Sequence, residues 1–210
     1  MPTISQIMYT APVIPVITIE KFQHALPLAR ALLEGGLPVL EITLRTDCAL
    51  EAIALIAQEL PTAIVGAGTV INRGTYEKAL AAGAQFIVSP GFTRDLLTCA
   101  LEHKLPFLPG VNTPGEVMQL LEAGISAMKF FPAEAAGGVT MLKAFSAPLP
   151  QAIFCPTGGI SMSNAKDYLA LSNVACVGGS WMVNKSLVDN QQWQDVMALA
   201  RLAAGLRTTL

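Results

Sequence analysis

Eight short runs rich in apolar and β-forming residues recur along this chain, starting roughly every 20 to 26 residues. They are VIPVI (13–17), PVLEITL (38–44), AIVGAG (63–68), QFIVS (85–89), PFLPG (106–110), AMKFF (127–131), AIFCP (152–156) and VACVG (174–178). Most of the intervening segments carry apolar residues at helical spacing. In Ala49–Leu60, for example, Leu50, Ile53, Ala54, Ala57 and Leu60 share a face, and Arg94–His103 and Thr113–Ala123 are further such segments. Gly35–Gly36, Pro61, Gly83, Pro106 and Gly124 then act as helix stops before the next run. Strands alternating with helices build parallel βαβ units. Eight units without a long linker predict an α/β protein that closes as a (β/α)8 TIM barrel. A doubly wound open sheet is the competing arrangement, and it typically has fewer strands. The barrel is expected to be a single domain over residues 1–210, with the first ten residues as a short N-terminal helix or arm.

Composition narrows the function classes. Hydrophobic residues make up 52% of the chain and charged ones 13%. That balance opposes disorder, suits strands buried on both faces, and suggests that other subunits cover part of the surface. A net charge of −2 supplies no basic stripe, so neither nucleic acid nor an anionic membrane is an expected partner. No apolar run reaches the ~18 residues needed to span a bilayer. The opening MPTISQIMYT lacks a basic region followed by an apolar core, so no secretory signal is expected. The cysteines Cys48, Cys99, Cys155 and Cys176 show no CxxC or metal-ligand spacing, and Cys155 and Cys176 read as packed thiols. These features point to a reduced, cytoplasmic protein. His24 and His103 are expected at the surface or partly packed. Two distant histidines do not make a catalytic zinc site with three protein ligands unless carboxylates help. No GxSxG, HExxH or Walker pattern occurs, and Gly66-Ala67-Gly68 lacks the third glycine of a dinucleotide fingerprint. Neither a metal nor a cofactor is therefore expected.

In a barrel, catalytic groups come from the C-terminal ends of the strands and the loops that follow. Two strands carry charges where parallel strands should be apolar. In the second run Glu41, Thr43 and Arg45 share one face and Leu40, Ile42 and Leu44 the other, because side chains alternate across a strand. The apolar set should meet the helices, leaving a carboxylate and a guanidinium toward the lumen. In the sixth run Lys129 shares a face with Ala127 and Phe131. The other lysines fall outside the barrel: Lys21, Lys78, Lys143 and Lys166 in helical segments, Lys104 and Lys185 in loops. Burial disfavours the charged form of a lysine, and Arg45 would act in the same direction. A neutral amine is what a Schiff-base nucleophile requires. A structural Glu41–Lys129 ion pair filling the barrel centre is the alternative, since such pairs also perturb pKa values.

Two late turns contain paired glycines, Pro156-Thr157-Gly158-Gly159-Ile160 and Gly178-Gly179-Ser180. They follow the seventh and eighth strands, where barrels often bind phosphate on backbone N–H groups. Tight turns with no ligand are the other reading. Thr69 and Ser89 end the third and fourth strands. Either hydroxyl could hold a carboxylate beside Arg45, or act as a helix N-cap. For Ser89 the cap is the preferred reading.

The segments Glu41-Ile42-Thr43-Leu44-Arg45-Thr46, Val65-Gly66-Ala67-Gly68-Thr69-Val70, Lys129-Phe130-Phe131-Pro132-Ala133-Glu134, Pro156-Thr157-Gly158-Gly159-Ile160 and Gly178-Gly179-Ser180-Trp181 resemble the KDPG/KHG aldolase family over nearly the whole chain. The resemblance implies a class I aldolase that cleaves 2-dehydro-3-deoxy-6-phosphogluconate to pyruvate and D-glyceraldehyde 3-phosphate. It implies Lys129 as the Schiff-base lysine and Glu41 as the general acid/base. Arg45 and Thr69 then look like carboxylate-side contacts, Pro90 lies near the pyruvyl end, and Phe131 and Thr157 look like pocket residues. Gly158, Gly159, Gly179 and Ser180 look like a phosphate cradle, and a homotrimer is the implied assembly. Alternatives are 4-hydroxy-2-oxoglutarate as main substrate, with pyruvate and glyoxylate as products, and a non-catalytic phosphate-binding barrel. The sequence departs from the family pattern at Ala136, where many members carry Asn, and in the loop Gly110–Pro114. Both could tune aldehyde preference. Strand one, 13–17, lacks the arginine associated with galactonate-specific relatives, which favours the gluconate type.

Overall fold

The computed structural model describes residues 2–206. Nine parallel strand segments make eight staves: β1 (Val13–Ile17), β2 (Val39–Thr43), β3 (Ile64–Gly68), β4 (Ile87–Val88), β5 (Phe107–Leu108), β6 (Gly110–Val111), β7 (Ala127–Phe130), β8 (Ile153–Pro156) and β9 (Val177–Gly179). One hydrogen-bonded group runs β5-β4-β3-β2-β1-β9 and the other β6-β7-β8. They join at both edges. Pro109 alone separates β5 from β6, so these are one stave. Parallel bridges Phe154–Val174 and Thr157–Gly178 tie β8 to the last strand. The sheet thus closes into the (β/α)8 barrel.

The fifth run is broken where proline has no N–H to give a ladder. The Pro109 carbonyl still accepts from the Lys129 N–H at 2.8 Å, which holds β7 in register across the break. The fourth run pairs only over β4, and the eighth is shifted to β9, with Val174 held by a lone bridge.

The staves are followed by α2 (Ala25–Glu34), α3 (Ala49–Glu59), α4 (Arg73–Ala81), α5 (Arg94–His103), α6 (Pro114–Glu122), α7 (Gly138–Ser146), α8 (Ala165–Leu169), α9 (Lys185–Asp189) and α10 (Trp193–Ala204). Local chemistry sets several of the starts. Asn72, Thr93 and Thr113 each accept an N–H of the first turn of α4, α5 and α6. Gly83 and Gly124, at φ near 80–90°, release the chain after α4 and α6. Among the described residues no helix is long and apolar enough to cross a membrane.

Strand alternation sorts the core into two layers. Val13, Ile17, Leu40, Ile42, Val65, Ala67, Ile87 and Phe154 pack outward against the helices. Ile14, Val39, Phe86, Val88, Leu108, Ala127, Cys155 and Cys176 fill the barrel interior. The N-terminal arm is α1 (Ile4–Tyr9), whose Thr3 and Gln6 form a reciprocal capping box. Its Ile7 and Met8 are fully buried in that interior cluster. The N-terminal end of the lumen is therefore packed with apolar side chains, and the cavity inside the barrel lies toward the C-terminal ends of the strands.

Candidate active site

Above the apolar packing the inward positions turn polar. Val39 is followed on the inner face of β2 by Glu41 and Thr43, and Ala127 on β7 by Lys129 and Phe131. Lys129 Nζ lies 3.2 Å from Glu41 Oε1, with side-chain exposures of 7% and 4%. The pair sits in a cavity of about 250 Å³ lined by Val16, Glu41, Thr43, Arg45, Thr69, Pro90, Lys129, Phe131 and Thr157. Of the residues expected from the sequence, this cavity collects Glu41, Arg45, Thr69, Pro90, Lys129, Phe131 and Thr157. The six other lysines are exposed, although Lys21 precedes a short 3-10 turn instead of lying in a helix, and Lys185 opens α9 instead of lying in a loop.

Small residues make room for the pair. Gly68 on β3 stands where a Cβ would meet the Glu41 side chain, with Cγ at 2.7 Å and Cδ at 2.8 Å. Gly178 likewise leaves the space taken by the Thr157 side chain. The ring of Phe131 has its centroid 5.3 Å from Lys129 Nζ, a distance at which it favours a cation there. Thr43, buried under the cavity, donates its hydroxyl to the Ile17 carbonyl at 2.9 Å, linking β2 to β1. Arg45 lies in the turn after β2 and is exposed, and among the described residues no ion pair engages it. A guanidinium free at the rim of a cavity is suited to a carboxylate ligand.

Thr69 lines the cavity in the left-handed region, at φ 61°. The cap of α4 is Asn72, so the N-cap reading of Thr69 does not hold. Nor does it hold for Ser89: the cap of α5 is Thr93, and Ser89 is fully buried with an unpartnered hydroxyl. Ser89 follows Val88 and so faces away from the lumen, opposite to Pro90.

The glycine turns stand beside the cavity and do not line it. Gly158 and Gly159 adopt φ of 102° and 79°, open to glycine and strained for other residues. Their turn is stitched to the segment after Lys129: Ala133 N–H donates to the Thr157 carbonyl at 2.8 Å, and Glu134 N–H to that of Gly158 at 3.1 Å. The buried Tyr168 of α8 donates its hydroxyl to the Glu134 carboxylate, and burial followed by that bond pushes the Tyr168 pKa up. Ser180 lies past Gly179 in an adjoining groove that shares Val16 with the cavity and also contains Thr18, Glu20, His24 and Lys185. His24 is buried edge-on against Trp193, more packed than expected.

Val16, Thr43 and Tyr168 are not among the residues expected from the sequence to serve the site. Val16 and Thr43 were accessible by alternation from Ile14 and Glu41. Tyr168 lies on a separate helix, and no local pattern links it to Glu134.

A buried amine next to a carboxylate, in a dead-end cavity with a free guanidinium at its rim, is equipped to attack a carbonyl and move protons around the resulting adduct. Comparisons with known proteins agree with this chemistry. A family model described as KDPG and KHG aldolase matches residues 4–199. The 2-dehydro-3-deoxy-phosphogluconate aldolase of Dickeya dadantii is 53% identical over 94% of this chain and 93% of that one. The KHG/KDPG aldolase of Escherichia coli is 50% identical, over 94% and 92% respectively. Among solved structures, KDPG aldolase from Legionella pneumophila, with pyruvate captured at low pH as a covalent carbinolamine intermediate, superposes with a TM-score of 0.95 at 46% identity, covering 97% of this chain and 98% of that one.

Proposed function

The chain belongs to the KDPG and KHG aldolase family, and on that premise we propose that it cleaves 2-dehydro-3-deoxy-6-phosphogluconate to pyruvate and D-glyceraldehyde 3-phosphate through a Schiff base on Lys129. The buried Lys129–Glu41 pair carries this reading. Glu41 Oε1 accepts a proton from Nζ, leaving a neutral amine that adds to the C2 ketone. Glu41 then returns protons as the carbinolamine loses water, and the product is a protonated imine. Loss of the C4 hydroxyl proton to Glu41, directly or through a water, breaks the C3–C4 bond. Its electron pair moves into the imine to give an enamine, and glyceraldehyde 3-phosphate leaves. Protonation at C3 and hydrolysis release pyruvate and restore Lys129.

Arg45 and Thr69 hold the substrate carboxylate, Pro90 and Phe131 wall the pyruvyl end, and Thr157 borders the path to the far end. Gly158, Gly159, Gly179 and Ser180 receive the phosphate, an anion suited to backbone N–H groups in tight turns. The whole chain serves as one domain.

Four cysteines that form no disulfide among the described residues suit a reduced, cytoplasmic setting. A homotrimer would cover exposed apolar side chains such as Ile71, Leu101 and Met118, and its mass in solution, read by light scattering, checks that assembly. Activity is tested by supplying the phosphorylated keto acid and following pyruvate with lactate dehydrogenase and NADH. Steady NADH loss is expected, and none on that substrate would overturn the proposal.

A further inference from the structure

A second constellation of reactive side chains lies on the outer wall, between α4 and α5, and takes no part in the aldolase chemistry. Cys99 and His103 are four residues apart on α5 and so share a face. Glu77 on α4 faces them. One ligand atom from each of the three lies within 4.8 Å of the others, and His103 Nε2 stands 4.0 Å from Glu77 Oε1. Cys99 is fully buried while Glu77 and His103 are exposed, so the thiol forms the floor of the cluster and the other two its rim.

We propose that Glu77, Cys99 and His103 form a binding site for a divalent transition ion of the zinc or cobalt kind, with a fourth position left to water.

The donor set fits such an ion: one sulfur, one imidazole nitrogen and one carboxylate oxygen are ligands that zinc takes in tetrahedral sites. Small side-chain rotations suffice to bring atoms at these separations onto one centre. The surroundings also fit. Tyr76 stacks on the His103 ring with centroids 5.6 Å apart, fixing the imidazole plane. The Tyr76 hydroxyl is buried and has no hydrogen-bond partner among the described residues. Burial, and then the neighbouring Cys99, push its pKa up to about 12. A metal-bound thiolate would give that orphan donor an acceptor, as outer-shell groups commonly do around metal sites.

Arg73 faces the cluster. It is engaged mainly elsewhere, by Glu102 at 2.8 Å and Asp95 at 3.4 Å, with Glu77 more distant at 3.8 Å. Glu77 can therefore turn to a metal while Arg73 keeps two partners. Three carboxylates against one guanidinium leave the region favourable to a cation. Burial pushes the Cys99 thiol up, so the protein holds it protonated, and binding releases that proton to solvent as the metal–sulfur bond forms.

Cobalt(II) titration of the full chain tests the site, because thiolate ligation gives a sulfur-to-cobalt charge-transfer absorption. One cobalt per chain with that absorption is expected, and it is lost in Cys99→Ser. Glu77→Gln and His103→Gln, both at exposed positions, should each weaken binding by about tenfold or more. No charge-transfer absorption in the parent overturns the proposal, as does its retention in Cys99→Ser. If Cys99→Ser fails to fold, the two exposed variants decide, and unchanged cobalt affinity in both overturns it. Aldol cleavage is expected to be unaffected throughout.

Discussion

Glu41 Oε1 stands 3.2 Å from Lys129 Nζ although 88 residues separate the two in the chain. The barrel brings them together: β2 and β7 each turn an inward position toward the same level of the lumen. The carboxylate is thus within direct reach of the amine that the proposed mechanism has it deprotonate. Replacing Glu41 with Gln keeps the shape and removes the proposed base. Turnover should fall by about 10²–10⁴-fold, the usual contribution of a positioned acid/base, while the circular dichroism spectrum stays unchanged. A loss below tenfold would remove Glu41 from the mechanism.

Gly68 controls where that carboxylate sits. Its backbone is not in the left-handed region, so alanine is conformationally acceptable there, but the added methyl would run into Glu41. Gly68→Ala should fold, displace Glu41 from Lys129 and lower kcat. A misplacement of about 1 Å can cost roughly 10²-fold. Wild-type kcat in this variant would show that the close packing of Glu41 on β3 is irrelevant to catalysis.

Tyr168 anchors Glu134, and Glu134 is tied to the Gly158–Gly159 turn. Tyr168→Phe removes one hydroxyl and frees the carboxylate near the proposed phosphate position. KM for the 6-phosphorylated substrate should rise about fivefold or more, equivalent to ~1 kcal/mol, a typical hydrogen-bond contribution. The unphosphorylated 4-hydroxy-2-oxoglutarate should be almost unaffected. Equal losses on both substrates would indicate general loosening and not a phosphate-side effect.

Glu116 supplies an acid-dependent component of stability. Partial burial would raise its pKa, but hydrogen bonds from the Asn112 N–H and from the hydroxyl and N–H of Thr113 outweigh it and hold the carboxyl below its ordinary 4.5. The folded value is the lower one, so this stabilisation is fully present above the unfolded pKa and is lost as pH falls through the folded one. Urea denaturation of the parent and of Glu116→Gln should differ at pH 7 and converge as the pH drops below the ordinary carboxylate range. A constant difference would refute the assignment.

Much of this architecture is legible in the chain. Alternation in β2 separates Glu41 from Leu40 and Ile42, and the same rule places Lys129 inward. The Gly and Pro stops mark most helix ends. What escapes is set by non-local contacts. Pro109 splits one stave in two, yet closure survives because its carbonyl still serves Lys129. Ser89 has the composition of a cap, but the chain runs on four residues before Thr93 takes that role. The fully packed His24 depends on Trp193, 169 positions later, and the Tyr168–Glu134 contact joins helix α8 to the turn after β7, which local periodicity cannot relate. The outer cluster is half legible: Cys99 and His103 share a helical face, but only the packing of α4 on α5 adds Glu77.

Lys129 is the residue proposed to form the covalent adduct. Pyruvate and sodium borohydride should be added to the parent protein, and the product digested and mapped by mass spectrometry. One reduced pyruvyl group per chain is expected, on the peptide containing Lys129, and none in Lys129→Met. An adduct on any other lysine, or no adduct in the active parent protein, would contradict it.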